Sequence, residues 1–442
     1  MARRIKAKQF FDSTFKEFSL YDNVRSIPTL KDGLKPSQRK VIYGLQTRGE
    51  NAGEIKLETL ANYVSGQTDY HHGAASLIGT TVGLARTYPG TNNMNLLIPS
   101  GQFGSRLTNE AAAGRYIFTK FSENFRKFFK KEDDVILNHL LSDGQKIEPE
   151  TYFPILPMAL VNGSEGTGTG HSSFIYQYNP LHVRDACLAI LTGKKLKLDT
   201  LVPWFNGYNG IVEKVEDTGQ IVITGTLTIV NRTSIRVTEL PIGMYVDDYK
   251  AVLNDLMEDG IIDTYDDDSN EAAFDFIIKC PRVTTDLPLD VLYRKFKLIS
   301  RFTENYTLWN EKGILERFDT AEDIIERFVG WRVGIYEERR QKLISTTTES
   351  IRWANEKLRF ILFYLANVDG FKNKKKDDLV ALLIKNNFVD YDRLLGMSMW
   401  NLTRDRIKEL EDEIAKSGKY LESLQKDTAR AMYQRELKEF SV

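Results

Sequence analysis

Two seven-residue stripes in the last third limit the architecture of this chain more than any other feature. Ile344, Ile351, Leu358 and Leu365 recur at every seventh position, with Thr347, Ala354, Ile361 and Val368 three residues later. Ile407, Ile414, Leu421 and Thr428 repeat the spacing, accompanied by Leu410, Ser417, Leu424 and Ala431. A strict heptad keeps one narrow seam of a helix against a neighbour. Two such helices some forty residues apart predict an antiparallel coiled-coil hairpin carrying a small helical knob from Lys376 to Trp400. That geometry suits a device that holds something at a distance.

Ahead of this hairpin the pattern changes twice. From Phe10 to about Leu156, short amphipathic segments alternate with Gly, Pro and Asn, which reads as compact helices and tight loops. Lys35-Pro36-Ser37 before Val41, Ile42 and Leu45 predicts a helix with Pro in its first turn. From about Pro157 to Ser300 the chain turns β-branched and alternating. Strands are expected at Gly210-Ile-Val, Gln220-Ile-Val-Ile-Thr, Thr226-Leu-Thr-Ile-Val, Ser234-Ile-Arg-Val-Thr and Ala273-Phe-Asp-Phe-Ile-Ile, and a helix over Asp247 to Asp259. Helix returns after about Thr303. With 442 residues, too many for one ordinary domain, this predicts a multidomain α+β chain divided at 1–156, 157–300 and 301–442.

Composition narrows the compartment and the partner. No apolar run approaches the roughly 18 residues of a membrane helix, and the basic start (Arg3, Arg4, Lys6, Lys8) has no apolar block behind it, so neither a membrane span nor a secretory leader is expected. Two cysteines and five scattered histidines argue against a disulfide scaffold or a zinc module. A soluble, cytoplasmic protein of a reducing compartment is expected. Net charge is −1, yet residues 1–130 hold 19 Lys and Arg against 10 Asp and Glu, leaving +9 there and −10 in the remainder. A basic third beside an acidic rest is the asymmetry of a chain that meets a polyanion with one end.

Phosphate-loop and metal signatures fail. There is no Gly-x4-Gly-Lys-[Ser/Thr], and the Gly-rich stretch Asn162 to Gly170 has neither a following Lys nor dinucleotide spacing. Asp266, Asp268 and Asn270 begin like a calcium loop, but Glu271 stands where Gly is required and Ile277 where a bidentate Glu is required. No metal site and no ATP site are expected in this chain. What remains is Arg115-Tyr116, after the small-residue run Ala111-Ala-Ala-Gly114, and Tyr70-His71-His72-Gly73. A tyrosine hydroxyl, pKa ~10, is a poor nucleophile until a cation stabilises its phenolate. An adjacent Arg can do that and can also hold phosphodiester oxygens as charge builds. An imidazole beside a phosphate can donate a hydrogen bond or protonate a leaving oxygen. Singly, each motif is equally an ordinary dipeptide.

Together and in order they resemble one family. Arg25-Ser-Ile-Pro-Thr-Leu-Lys-Asp-Gly-Leu-Lys-Pro-Ser-Gln-Arg-Lys-Val-Ile-Tyr43 resembles the opening of the DNA breakage–reunion region of type IIA topoisomerases. Tyr70-His-His-Gly73, Gly101-Gln-Phe-Gly-Ser-Arg106, Ala111-Ala-Ala-Gly-Arg-Tyr-Ile117, Phe153 to Gly163, Val237 to Gly243, Leu394-Leu-Gly-Met397 and Trp400-Asn-Leu-Thr403 follow at matching intervals. The double His and the Arg-Ser-Ile-Pro wording resemble the C-terminal half of the eukaryotic enzymes. A chain of this length without a fused ATPase resembles the split layout of T-even-type bacteriophage enzymes.

The resemblance implies a winged-helix cleavage domain up to about 156, a β-rich tower over 157–300, and from 301 a long coiled coil whose knob is the exit gate of a homodimer. It implies that Tyr116 attacks a phosphodiester of duplex DNA and becomes linked to the 5′ phosphate, with Arg115 as transition-state stabiliser. Arg25, Lys35 and His72 surround the scissile phosphate, and His71 lies beside them. Mg2+ and ATP are implied on a separate ATPase/Toprim chain. Relatives usually carry Ile at Thr167, where it wedges between base pairs; the smaller, polar Thr is expected to contact DNA but to disrupt stacking less. The chain stops at Val442 without a DNA-wrapping domain, so relaxation and decatenation are expected, without introduction of negative supercoils. Competing readings are a dimeric winged-helix DNA-binding regulator without cleavage activity, a tyrosine nuclease or recombinase acting alone, and a coiled-coil scaffold. The regulator accounts for the charge split and the heptads but not for Arg115-Tyr116, the His pair and the later motifs occurring together, and a nuclease or recombinase is expected to place more of its catalytic basic residues in its C-terminal half.

Overall fold

A computed structural model describes residues 6–194, 201–398 and 403–442. Arg3, Arg4, Trp400, Asn401 and Leu402 lie outside the described residues. The chain forms two compact units, Met1–Arg332 with Glu436–Val442, and Val333–Arg435.

In the first unit, the helix Pro36–Thr47 starts with Pro36 at its first position, where the missing N–H costs no hydrogen bond. The Lys35 N–H, just outside, donates to Gln38 Oε1 at 2.8 Å. Val41, Ile42 and Leu45 face Leu57, Leu60, Ala61 and Val64 of the helix Leu57–Thr68 and Leu77 of the helix Ala74–Ala85, all buried. Gly44 lets the first two helices cross closely, because a Cβ there would meet Val64 Cγ2. A hairpin, His139–Ser142 with Gln145–Pro149, lies beside them.

The expected strands form, and others join them. A four-stranded antiparallel sheet runs Thr264–Asp267, Phe276–Lys279, Ser234–Glu239, Thr226–Asn231. Ile235, Val237, Phe276 and Ile278 bury one face against Tyr249 and Leu253 of the helix Val246–Glu258 and against Leu292. Thr264–Asp267, which runs into the calcium-loop-like stretch at Asp266, is an edge strand paired on one side only, with Phe276–Lys279. A three-stranded sheet orders Ile299–Phe302, Ile221–Thr224 and Ile211–Lys214. Thr307–Trp309 and Leu315–Arg317 pair after Thr303, where helix was expected. The continuous helix starts only at Ala321.

The helix Ala321–Ala366 is 46 residues long and continues into the second unit. There it packs on the helix Arg404–Lys426 through Ala354, Leu358, Ile361, Ile407, Leu410 and Ile414. The pairing runs in opposite senses: Tyr336 stacks on Tyr433 at 4.8 Å, and Arg340 donates to the Leu424 carbonyl at 3.1 Å. The stripes fail at their ends. Leu365 and Val368 are exposed because the helix stops at Ala366. Thr428 falls beyond the last turn at Lys426, and its hydroxyl accepts from the Ala431 N–H to open the next helix, Ala429–Glu439. Between the two long helices, Lys376–Lys385 and Tyr391–Leu395 enclose a small core of Phe360, Leu383, Phe388 and Leu394.

Candidate active site

A buried ion pair builds the frame on which Lys35 stands. Asp32 is fully buried. Its Oδ2 accepts from Arg39 Nε at 2.7 Å, from the Thr151 hydroxyl and from the Tyr152 N–H. Its Oδ1 accepts from the Thr29 hydroxyl at 2.7 Å and the Leu34 N–H at 3.0 Å. Burial pushes this carboxyl up, but the charge and hydrogen bonds of Arg39, with those of Thr29 and Leu34, outweigh it and hold Asp32 below the usual carboxylate range. The turn before the helix is therefore clamped between its own Arg and a strand-end segment more than a hundred residues away. Gly33 completes the turn at φ 66°, with its Cα against the Ala159 backbone.

An open groove of about 840 Å³ lies above this frame. It brings together Arg25, Lys35, His71, His72 and Thr167, five of the seven residues singled out from sequence. Arg25 comes from the last turn of the helix Lys16–Ser26, Lys35 from the start of the helix Pro36–Thr47, and the His pair from the loop ahead of the helix Ala74–Ala85. Burial draws the Lys35 ammonium below the ordinary lysine range, against the opposing pull of Glu165. His71 Nε2 lies 3.4 Å from Asp69 Oδ1, and Asp69 also accepts from the Ser142 hydroxyl at 2.6 Å. That hydroxyl, more than His71, holds the Asp69 carboxyl low. Lys40 also lines the groove, tied to Glu148 at 2.7 Å and to the Thr68 carbonyl.

Thr167 arrives at the end of a short strand. Asn162 to Gly170 supplies one strand of a hairpin, Ser164–Thr167 with Ser172–Ile175. Gly166 and Gly168 are required by close approach: a Cβ on Gly166 would strike the Ser26 carbonyl oxygen, and one on Gly168 would strike Asn23 Oδ1. Asn23 Nδ2 donates to the Thr169 carbonyl at 3.1 Å, and the Thr169 hydroxyl donates to Asp22. The hairpin thus rests on the helix that carries Arg25. Gly166→Ala is expected to cost about 1–3 kcal/mol by forcing backbone apart. Thermal unfolding checks this; an unchanged melting curve removes the close-approach argument.

Arg115 and Tyr116 do not line the groove. They sit on a turn, Tyr116 N–H to Ala113 carbonyl at 2.9 Å, that enters the short strand Phe118–Thr119. Two hydrogen bonds tie this segment to the start of the helix Leu57–Thr68: Glu58 N–H to the Gly114 carbonyl and Leu57 N–H to the Ile117 carbonyl, both 3.1 Å. Gly114 is buried against Ile78, so the backbone is pinned while the two side chains that follow point outward. Tyr116 is 66% exposed, and the Arg115 guanidinium carbon lies 4.9 Å from its ring centroid. The buried backbone leaves the phenol open to solvent beside a cation.

A sequence-family profile describing the A-type subunits of DNA gyrase and topoisomerase IV matches residues 25–439. This chain is a member of that family. Among its relatives, DNA topoisomerase 2, mitochondrial, of Dictyostelium discoideum is 32% identical over 454 residues, covering 99% of this chain and 35% of the relative. DNA topoisomerase 2 of Arabidopsis thaliana is 37% identical over 401 residues, covering 88% and 27%. The DNA topoisomerase 2 of Acanthamoeba polyphaga mimivirus is 30% identical, covering 99% and 41%. The crystal structure of the Plasmodium falciparum topoisomerase II DNA-binding, cleavage and re-ligation domain superposes with a TM-score of 0.92 at 34% identity, over 98% of this chain and 63% of that one. The chain therefore spans 27–41% of the length of these full relatives.

Among the described residues, no group of three or more His, Cys, Asp or Glu is arranged to hold a metal ion. No described helix is long and apolar enough to cross a membrane. Sequence reasoning passed over Asp32 and Arg39. The available signal was Arg39 itself, a charge three residues before Ile42 on the apolar face of its helix, which demands a buried partner.

Proposed function

We propose that this chain is the breakage–reunion part of a type IIA DNA topoisomerase. It cuts both strands of one duplex through 5′-phosphotyrosyl links, lets a second duplex pass and reseals the first. The observation that carries the reading is the groove: Arg25, Lys35 and both His from three separated segments meet there, in a family whose neighbour of known structure is a DNA-binding, cleavage and re-ligation domain.

In this reading Tyr116 Oη attacks phosphorus and loses its proton. The bond to the 3′ oxygen breaks, and that oxygen takes up a proton and leaves as a 3′ hydroxyl. One phosphodiester is exchanged for another, so resealing needs no energy input. Arg115 follows the charge onto the non-bridging oxygens, while Arg25, Lys35 and His72 hold the phosphate, with His71 beside them and Thr167 against the bases; because Arg115 and Tyr116 lie outside the groove of their own chain, this reading has the two sets meet across the homodimer. Preformed cations in a partly desolvated groove supply stabilisation that a phenol lacks. Three working parts, 1–156 as a winged-helix cleavage domain, 157–300 as a tower under the DNA and 301–442 as coiled coil and gate, serve a homodimer in the cytoplasm. Mg2+ and ATP belong in this reading to an ATPase/Toprim partner.

The test combines the chain, its ATPase/Toprim partner, Mg2+ and supercoiled plasmid, followed by a detergent quench. Protein joined to 5′ ends is the expected product; shifted but intact DNA would instead support a DNA-binding regulator. Arg115→Ala is expected to slow cleavage by roughly 10²-fold and to leave DNA affinity largely intact. A wild-type cleavage rate in that variant would remove Arg115 from the chemistry.

A further inference from the structure

His72 is held by two aromatic residues that the reaction above does not use. The Tyr21 hydroxyl lies 3.1 Å from His72 Nε2. Tyr70 meets the same imidazole edge-to-face, with ring centroids 5.3 Å apart at 66°. Tyr21 comes from the helix Lys16–Ser26 and His72 from the loop before Ala74–Ala85, so the contact joins two separate walls of the groove. Tyr21 is exposed and is no part of the core, so packing does not account for its presence.

We propose that Tyr21 is a positioning residue for His72: its hydroxyl fixes the imidazole and selects the tautomer able to donate a hydrogen bond to a phosphate oxygen in the groove. A neutral imidazole carries a single N–H. When Nε2 accepts from the Tyr21 hydroxyl, the ring proton must reside on Nδ1, and Nδ1–H becomes the donor. The opposite tautomer presents a bare Nδ1, whose lone pair repels a phosphate oxygen. Charged neighbours make the choice matter. Arg25, Lys35 and Lys40 line the same groove, and the Asp69 carboxylate is already engaged by Ser142 and His71. In the neutral ring the single proton must be on the correct nitrogen. Tyr70 restricts rotation of that ring from its other side.

The inference rests on the topoisomerase reading for its effect on cleavage, and on geometry alone for the tautomer. Two measurements on Tyr21→Phe, which removes one oxygen, keep these apart. In the histidine-labelled full chain, nitrogen NMR assigned with His72→Gln is expected to show Nδ1 protonated in the wild type. In Tyr21→Phe the signal moves towards the Nε2–H form. An identical tautomer in both proteins overturns the proposal. In the complete enzyme with Mg2+ and duplex DNA, single-turnover cleavage by Tyr21→Phe is expected to fall about fivefold, the worth of one ordinary hydrogen bond. DNA affinity should be unchanged, the pH profile shifted, and no further loss should appear when Tyr21→Phe is added to His72→Gln. A full cleavage rate, or an additive loss in the double variant, overturns the link to His72. If the wild-type enzyme captures no DNA, the topoisomerase reading fails and the cleavage role with it, and the NMR result still decides the tautomer.

Discussion

Tyr116→Phe is expected to abolish covalent capture of DNA, a drop of roughly 10⁴-fold or more, while leaving duplex binding in place. The substitution removes a single oxygen from a side chain that is 66% exposed, so nothing in the core is disturbed. The ring that Arg115 covers is retained, and the backbone stays pinned by the hydrogen bonds of Gly114 and Ile117. In the proposed reading affinity comes from phosphate contacts in the groove, which Tyr116 does not line. Binding and capture should therefore separate cleanly. Labelled duplex, quenched with detergent after incubation with the complete enzyme, gives protein-linked 5′ ends only if the phenol is the nucleophile. Wild-type capture by the Phe variant would mean that another side chain makes the bond, and the reading of the site would be wrong.

Asp32→Asn should be the most damaging single change to the frame. The amide keeps the shape but removes the charge that Arg39 meets at 2.7 Å, leaving a guanidinium nine-tenths buried without a counter-ion. Breaking such a pair costs about 3–5 kcal/mol, which lowers the melting temperature of the unit by roughly 10 °C. Because the Asp32 carboxyl is held below its unfolded value, its contribution is complete above the ordinary carboxylate pKa of ~3.9 and is lost as pH falls through the lower folded value. The gap between wild type and variant should be widest near neutrality and close in acid. Cleavage should suffer along with stability, since the same carboxylate orders the turn that carries Lys35. A variant melting within about a degree of wild type would show that the pair does not organise this turn.

The candidate site residues were legible where they lie close together in sequence. Arg115-Tyr116, Tyr70 to His72 and the run from Arg25 to Tyr43 are local strings, and the strands at 220–224, 226–230 and 234–238 follow from β-branched alternation. The long helices announced themselves through their heptads, except near Ala366 and Lys426, where they end and leave Leu365, Val368 and Thr428 outside the seam. Thr264–Asp267 and the hairpin bearing Thr167 were hidden because neither has an apolar pattern. One is a solvated edge. The other is shaped by glycines whose purpose becomes visible only against Ser26 and Asn23.

Periodicity and turn chemistry act over a few residues, so helix, strand and the candidate phenol could be read along the chain. The groove could not, because its properties depend on distances through space between segments far apart in sequence. Asp32 is held by Thr151 and Tyr152, His72 by Tyr21, and Thr167 by the helix that carries Arg25. Electrostatic and hydrogen-bond energies follow those separations, and the packed chain alone sets them.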